Sequence, residues 1–270
     1  MDVAIKYFTV FGGLDTKIDT TIPIEKLIEE MILGQYNELR NQVNYLTGGY
    51  SVDNAILTGI ALGDRKTTTA FKRAFVSFEE GMKSVEKLLE RGIIEIESSQ
   101  HFLVNKRNES KIAKKLFFPI PFIRFWFGFV SPIYKGIKEG NFEEFHTKFE
   151  NKIAEFSNFI FEELALVFLQ NYLQEDKIKQ FGKYWDETIA IDLIAKTINN
   201  KLIVGNCKYT NVKVKKSELT KLMQDCETAD IKADIFVLFA KSGYTSELKS
   251  LKNENLKLFS SKHLKLLVSA

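Results

Sequence analysis

Cysteine and histidine are scarce: two cysteines, Cys207 and Cys226, and three scattered histidines. That is too few for a zinc cluster of the usual ligand count or for a disulfide framework, and it suits a reducing cytoplasm. A phosphate loop is also missing. Gly12-Gly13 is not followed by Gly-Lys-Ser/Thr and no such signature occurs elsewhere, so no nucleotide-hydrolysing motor is expected. Charge of one sign is not in excess. Lys and Arg number 38 against 35 Asp and Glu, a net +3 that permits a nucleic-acid partner without arguing for one. The amino terminus has no charged region leading into an apolar run, so no secretion signal is expected and Asn108-Glu109-Ser110 reads as a chance glycosylation pattern. One stretch, residues 116–134, is long and apolar enough to suggest a bilayer. It holds Arg124 near its centre and Pro119, Pro121 and Pro132, which argue for a buried aromatic linker and against a membrane.

What is present is globular. Hydrophobic residues make up 45% and charged residues 27% of 270, enough chain for two domains. Residues 3–11 read as a short strand. From Pro23, Ile24, Leu27, Ile28 and Met31 recur at three and four, the spacing of a helix, and a second helix over 36–46 ends at Gly48-Gly49. A trio follows. Ser51 caps a helix stopped by Gly63-Asp64, Thr67 to Ala74 make a short one, and Ser77 with Glu80 opens a third in capping-box spacing. After Gly92, extended runs at 93–96 and 101–104 flank a polar turn. Helix, short helix, longer helix, hairpin is the order of a winged helix-turn-helix. Lys83 and Lys87 would suit a DNA groove. Glu79, Glu80, Glu86 and Glu90 on the same helix oppose phosphate and favour a protein partner.

A long helix is expected over 141–173, apolar nearly all round, with Glu162-Glu163 at its middle. A buried carboxylate there needs a partner or a metal, and one that reaches solvent needs neither. By spacing, Glu163 lies on the Phe156–Ile160–Val167 stripe. Residues 189–209, IAIDLIAKTINNKLIVGNCKY, read as a β-hairpin turned at Asn199-Asn200, with one carboxylate, Asp192, in the first run and Lys208 ending the second. An acid facing a lysine across a hairpin suggests metal-and-lysine attack on a phosphodiester, in which the cation neutralises phosphate and the lysine orients the nucleophile. Asn206 stands where a second carboxylate would complete the cage. Lys213, Lys215 and Lys216 form a basic run into a helix over 217–225. A strand over 235–240, a short helix near 245–251 and a final strand over 256–259 complete a three-layer pattern.

The order of FIRFWFGFVSP, Phe161-Glu162, GKYW, AIDLIA and GNCKY resembles the C-terminal region of an archaeal and bacterial ATPase-associated family, domain of unknown function 234. The resemblance covers residues 115–260. It implies an α+β chain: a helical winged helix-turn-helix domain over 1–110, an aromatic linker over 111–146, and a three-layer α/β/α restriction-endonuclease-like domain with a mixed central sheet over 147–270. The last would be a PD-(D/E)XK nuclease-like fold. Carried over residue by residue, the resemblance makes Glu162 the helix acid, Asp192 the metal-binding aspartate and Lys208 the motif lysine, with the Cys207 carbonyl as backbone ligand. Asn206 replaces the family's usual Glu, Ala190 another Glu, and Tyr209 a Trp. The expected cofactor is Mg²⁺, held weakly or not at all, because Mg²⁺ prefers carboxylate oxygens. The expected partners are DNA, through Lys213, Lys215 and Lys216, or a separate ATPase for which the chain is a non-catalytic adaptor.

Overall fold

The computed structural model describes residues 1–103 and 112–267. The Asn108-Glu109-Ser110 pattern lies outside them. The chain divides into two compact units, residues 6–97 with 113–153, and residues 1–5 and 98–112 with 154–270.

The first unit is helical. Residues expected to form an opening strand instead make α1 (Asp2–Phe11). They are rich in β-branched and aromatic side chains, yet Tyr7, Val10 and Phe11 are buried at helical spacing, so the pattern overrides the composition. α2 (Ile24–Ile28) follows Pro23 and runs into a wider π-type turn, Glu29–Leu33. α3 (Tyr36–Thr47) stops at Gly48, whose φ of +89° suits glycine. α4 (Ser51–Leu62), α5 (Thr67–Ala74) and α6 (Phe78–Glu90) form the trio. Ser77 caps α6, accepting the Glu80 N–H at 3.2 Å, whereas Ser51 is already inside α4 and Tyr50 precedes it without a side-chain cap. The helices pack closely because Gly59 and Gly81 carry no Cβ. A methyl at Gly59 would sit 2.8 Å from the Ala70 carbonyl, and one at Gly81 2.6 Å from the Phe71 ring. Buried Asp53 of α4 accepts a hydrogen bond from Ser84 of α6, which satisfies both.

A two-stranded ribbon closes the trio; its first strand overlaps the expected run over 93–96, but its second is not the expected one. β1 (Glu95–Glu97) pairs antiparallel with β2 (Lys115–Phe117). The run placed over 101–104 is a 3₁₀ turn, His101–Leu103, with Val104 outside the described residues. The preceding residues are drawn to the other unit, where Gln100 N–H reaches the Lys183 carbonyl and Ser99 Oγ accepts the Trp185 N–H, each at 2.9 Å. The aromatic stretch continues as α7 (Pro121–Phe125), a second π-type turn (Trp126–Val130) and α8 (Tyr134–Lys138). Its Phe125, Phe127 and Phe129 are fully buried, and Trp126 stacks on Tyr36 at 5.6 Å. Among the described residues no helix is long and apolar enough to cross a membrane.

The second unit holds the later half of the 30-residue α9 (Glu143–Tyr172) and a five-stranded mixed sheet. The strands are β3 (Ile178–Trp185), β4 (Ala190–Thr197), β5 (Leu202–Lys208), β6 (Ile235–Ala240) and β7 (Leu256–Ser260). They lie in the order β3-β4-β5-β6-β7. The first three are antiparallel neighbours, and β5, β6 and β7 are parallel. α10 (Lys216–Thr228) and α11 (Ser246–Ser250) connect the parallel strands. One face packs Leu193, Ala195, Ile203 and Cys207 against Phe161, Ala165 and Phe168 of α9. The other packs Ile191, Ile194, Leu202 and Val204 against Leu219 and Leu222 of α10 and Leu248 of α11. The chain is thus α+β, helical at its amino end and a mixed sheet at its carboxyl end.

Candidate functional site

Ile191 and Ile194 both face α10 although they are three apart, which strict alternation forbids. The cause is a register shift. Gly182 pairs with Ile194 and Tyr184 with Ile191, so Lys183 on β3 stands opposite both Asp192 and Leu193 on β4. This is a β-bulge, and it re-aims the carboxylate. The β4–β5 ladder also ends here, at Leu193 and Gly205. Beyond it, side chains replace the ladder: Asp192 Oδ2 accepts the Cys207 N–H at 2.9 Å, and Asn206 Oδ1 accepts the Asp192 N–H at 3.3 Å. The two residues therefore splice the strand ends reciprocally.

Glu162 reaches this point from α9. The expected stripe through Val167 does not persist, since Val167 is exposed and the buried line turns to Phe161, Ala165, Phe168 and Leu169. That turn carries Glu162 inward, to 13% side-chain exposure, and leaves Glu163 half exposed. Its partner is Lys183, only 5% exposed, whose ammonium lies 2.8 Å from Glu162, 2.9 Å from Glu163 and 4.6 Å from the centre of the Phe159 ring. Asn158, one turn before Glu162, donates its amide to Oε1 and accepts the Tyr209 N–H at 3.0 Å. Buried acids are thus met by a buried base and an amide, as a low-dielectric interior demands.

The carboxyl of Asp192 is pushed up to about 7, first by burial and then by the neighbouring Glu162 charge. The Cys207 N–H, Lys183 and Lys208 pull it back only in part. Burial, with Asp192 and Glu162 nearby, raises the Cys207 thiol well above its usual range, which leaves it a poor nucleophile. Lys208 is not held by Asp192. Regular alternation along β5 puts Asn206 and Lys208 on the Leu202–Val204 face, and the Lys208 ammonium pairs with Glu218 of α10 at 3.0 Å.

Of the residues singled out in the sequence, Glu162 and Asp192 gather around Lys183, Asn206 binds the Asp192 backbone, and Lys208 turns to α10. Lys208, Lys213 and Lys215 line one cavity of about 290 Å³ with Thr210, Val212 and Glu218, whereas Lys216 faces Glu247 at 3.6 Å. Lys183 and Asn158 were not recognised as site residues in the sequence. The GKYW motif contains Lys183, but its strand, β3, went unread. The Glu162-Glu163 pair was the signal that a buried cation should exist.

The donors fit Mg²⁺ poorly. Asp192 is partly protonated near neutral pH, the Glu162 oxygens already take Lys183 and Asn158, and Asn206 is neutral with its oxygen on a backbone N–H. Among the described residues no group of three or more His, Cys, Asp or Glu side chains is arranged to hold a metal ion.

Residues 126–221 match the family model of domain of unknown function 234, described as archaeal and bacterial proteins of unknown function. The match spans Glu162, Lys183, Asp192, Asn206, Lys208 and the lysines to Lys216. No curated protein and no solved structure matches the chain.

Proposed function

We propose that the sheet-bearing unit is a nuclease-like module that binds DNA and has lost efficient cleavage. The observation that carries this is the cavity lined by Lys208, Lys213 and Lys215 at the carboxyl end of β5. Lys213 and Lys215 are exposed, and they lie just before the start of a 13-residue helix whose free N–H groups favour anions. A mixed sheet with helices on both faces accords with the PD-(D/E)XK resemblance. The poor donor set argues for binding over turnover. In the catalytic version of such a site, Mg²⁺ would neutralise phosphate and activate water. Here the ammonium of Lys183 supplies the compensating charge instead.

The test is DNA binding as a function of salt, followed by incubation of plasmid with Mg²⁺ or Mn²⁺. Binding should weaken steeply with salt, and replacing Lys213 and Lys215 by alanine should lower the slope by about 0.9 per lost phosphate contact. Plasmid should stay intact. Cleavage by the wild type that disappears in Asp192→Ala would restore the enzyme reading, and salt-insensitive or absent binding would remove the DNA reading.

A second reading concerns the helical trio with its ribbon, which we take as a winged helix serving a protein partner such as a separate ATPase. Glu79, Glu80, Glu86 and Glu90 are all exposed on α6, and Lys83 is tied to Glu79 at 2.8 Å. That helix repels phosphate.

A further inference from the structure

The parallel strands β6 and β7 end side by side, and the turns that follow them enclose a cavity of about 590 Å³. Its walls come from Lys241, Ser242 and Gly243 after β6, Lys249 and Lys252 from α11 and the turn beyond it, and Ser260, Lys262 and His263 at the end of β7. Outside the carboxyl ends of parallel strands is where open α/β sheets place ligands, and the volume falls within the usual ligand range of about 300–1,000 Å³.

The lining has one chemical character. No carboxylate of the described residues contributes to it. Lys249, Lys252 and Lys262 are exposed and make no ion pair among the described residues. Glu247, the acid of α11, pairs with Lys216, which is not part of the lining. Lys241 is positioned by the Asn211 side-chain oxygen at 2.9 Å and by the Tyr209 ring at 4.6 Å. His263 accepts the Ser260 N–H on Nδ1 at 3.0 Å, so the ring proton is on Nε2 and that nitrogen is a donor. Soluble surfaces mix charge signs, and a concave site with cations and donors alone is unbalanced until an anion enters. Among the described residues the cavity offers no aromatic face for a base. Tyr244, the one Tyr, Phe or Trp of that described lining, is buried with its hydroxyl on the Leu238 and Phe259 carbonyls.

We infer that this cavity binds a small anion carrying several phosphate groups, which it recognises by charge and oxygen geometry and not by a base. The inference is independent of the DNA reading, because it uses none of Lys208, Lys213 or Lys215.

The probe is inorganic triphosphate, titrated into the full chain by calorimetry at fixed ionic strength, beside ATP, orthophosphate and a short DNA duplex. One triphosphate should bind per chain, ATP comparably, and orthophosphate more weakly. Lys249→Ala and Lys262→Ala, both at exposed positions, should each weaken triphosphate about tenfold, the worth of one charge-assisted hydrogen bond. Both should leave the melting temperature unchanged. Lys213→Ala should leave triphosphate binding unchanged. Comparable binding of ATP and triphosphate would assign the site to the phosphate chain from either source, and strong preference for ATP would overturn recognition without a base. Absent binding, several weak equivalents, or binding unaffected by the two variants would overturn the site. Loss of DNA affinity in Lys249→Ala without any triphosphate binding would make the cavity part of a DNA surface and overturn it too.

Discussion

Two regions of the same sheet handle positive charge in opposite ways. At the bulge of β4, a single ammonium, Lys183, is sealed among Glu162, Glu163 and Phe159. At the ends of β6 and β7, several ammonium groups stand in an open cavity with no carboxylate of the described residues in its lining. The first region is satisfied from within and has little left to offer a ligand. The second is incomplete without one. The residues that look most catalytic in the sequence are therefore the ones most fully occupied by structure.

The largest effect should come from breaking the sealed region. Lys183→Met leaves the buried Glu162 charge unmatched and should cost about 3–5 kcal/mol in a denaturant titration. Adding Glu162→Gln should recover part of that loss, because the double change removes the orphaned charge as well. A Lys183→Met protein as stable as wild type would show that the ammonium and the acids are not coupled.

Next in size is a pH effect at Asp192. Its carboxyl is raised in the folded state from 3.8 to about 7, so the folded chain holds this proton more tightly than the unfolded chain. The resulting stabilisation is complete below about pH 4 and is lost as pH rises through about 7, a change of at most about 4 kcal/mol. Asp192→Asn keeps an oxygen for the Cys207 N–H and should be more stable than wild type above pH 7. The check is to compare melting curves of both proteins from acid to mild alkali. Parallel curves would place the charge of Asp192 in solvent.

A smaller change would sharpen the contrast between metal and lysine. Asn206→Glu adds the missing carboxylate and should cost about 1–3 kcal/mol in chelator. It should then gain a Mg²⁺- or Mn²⁺-dependent rise in melting temperature that wild type lacks. An equal rise in both proteins would mean that the amide is donor enough. The smallest effect belongs to the open region: Lys249→Ala should move stability by no more than about 0.5 kcal/mol, since it breaks no ion pair among the described residues.

Much of the fold was legible because its signals are local. Ser77 with Glu80, the Asn199-Asn200 turn and the run over 235–240 each carry their own turn or cap chemistry, and each is found where it was read. Two kinds of error remain. Residues 2–11 have strand-forming side chains in a helical spacing, and spacing prevailed. β3 was missed because its first half is mostly exposed and carries no clean alternation, which also hid Lys183. The site was legible as a list of residues and not as a geometry. Strict alternation puts Asp192 on the side of Ile194, and nothing in AIDLIA announces the bulge that turns it. Glu162 was selected by the resemblance, while spacing alone selected Glu163. The helix stripe that misled it depends on what packs against α9, and that is tertiary information.

The placement of the two thiols has a practical consequence. Cys207 packs on the α9 face of the sheet and Cys226 on the α10 face, both buried, and burial raises the Cys226 thiol to about 11. An alkylating reagent should therefore be blind to the closed protein and modify each sulfur only when its own layer lifts away. Mass-resolved labelling of the two positions then times the opening of one layer separately from the other, with no engineered probe.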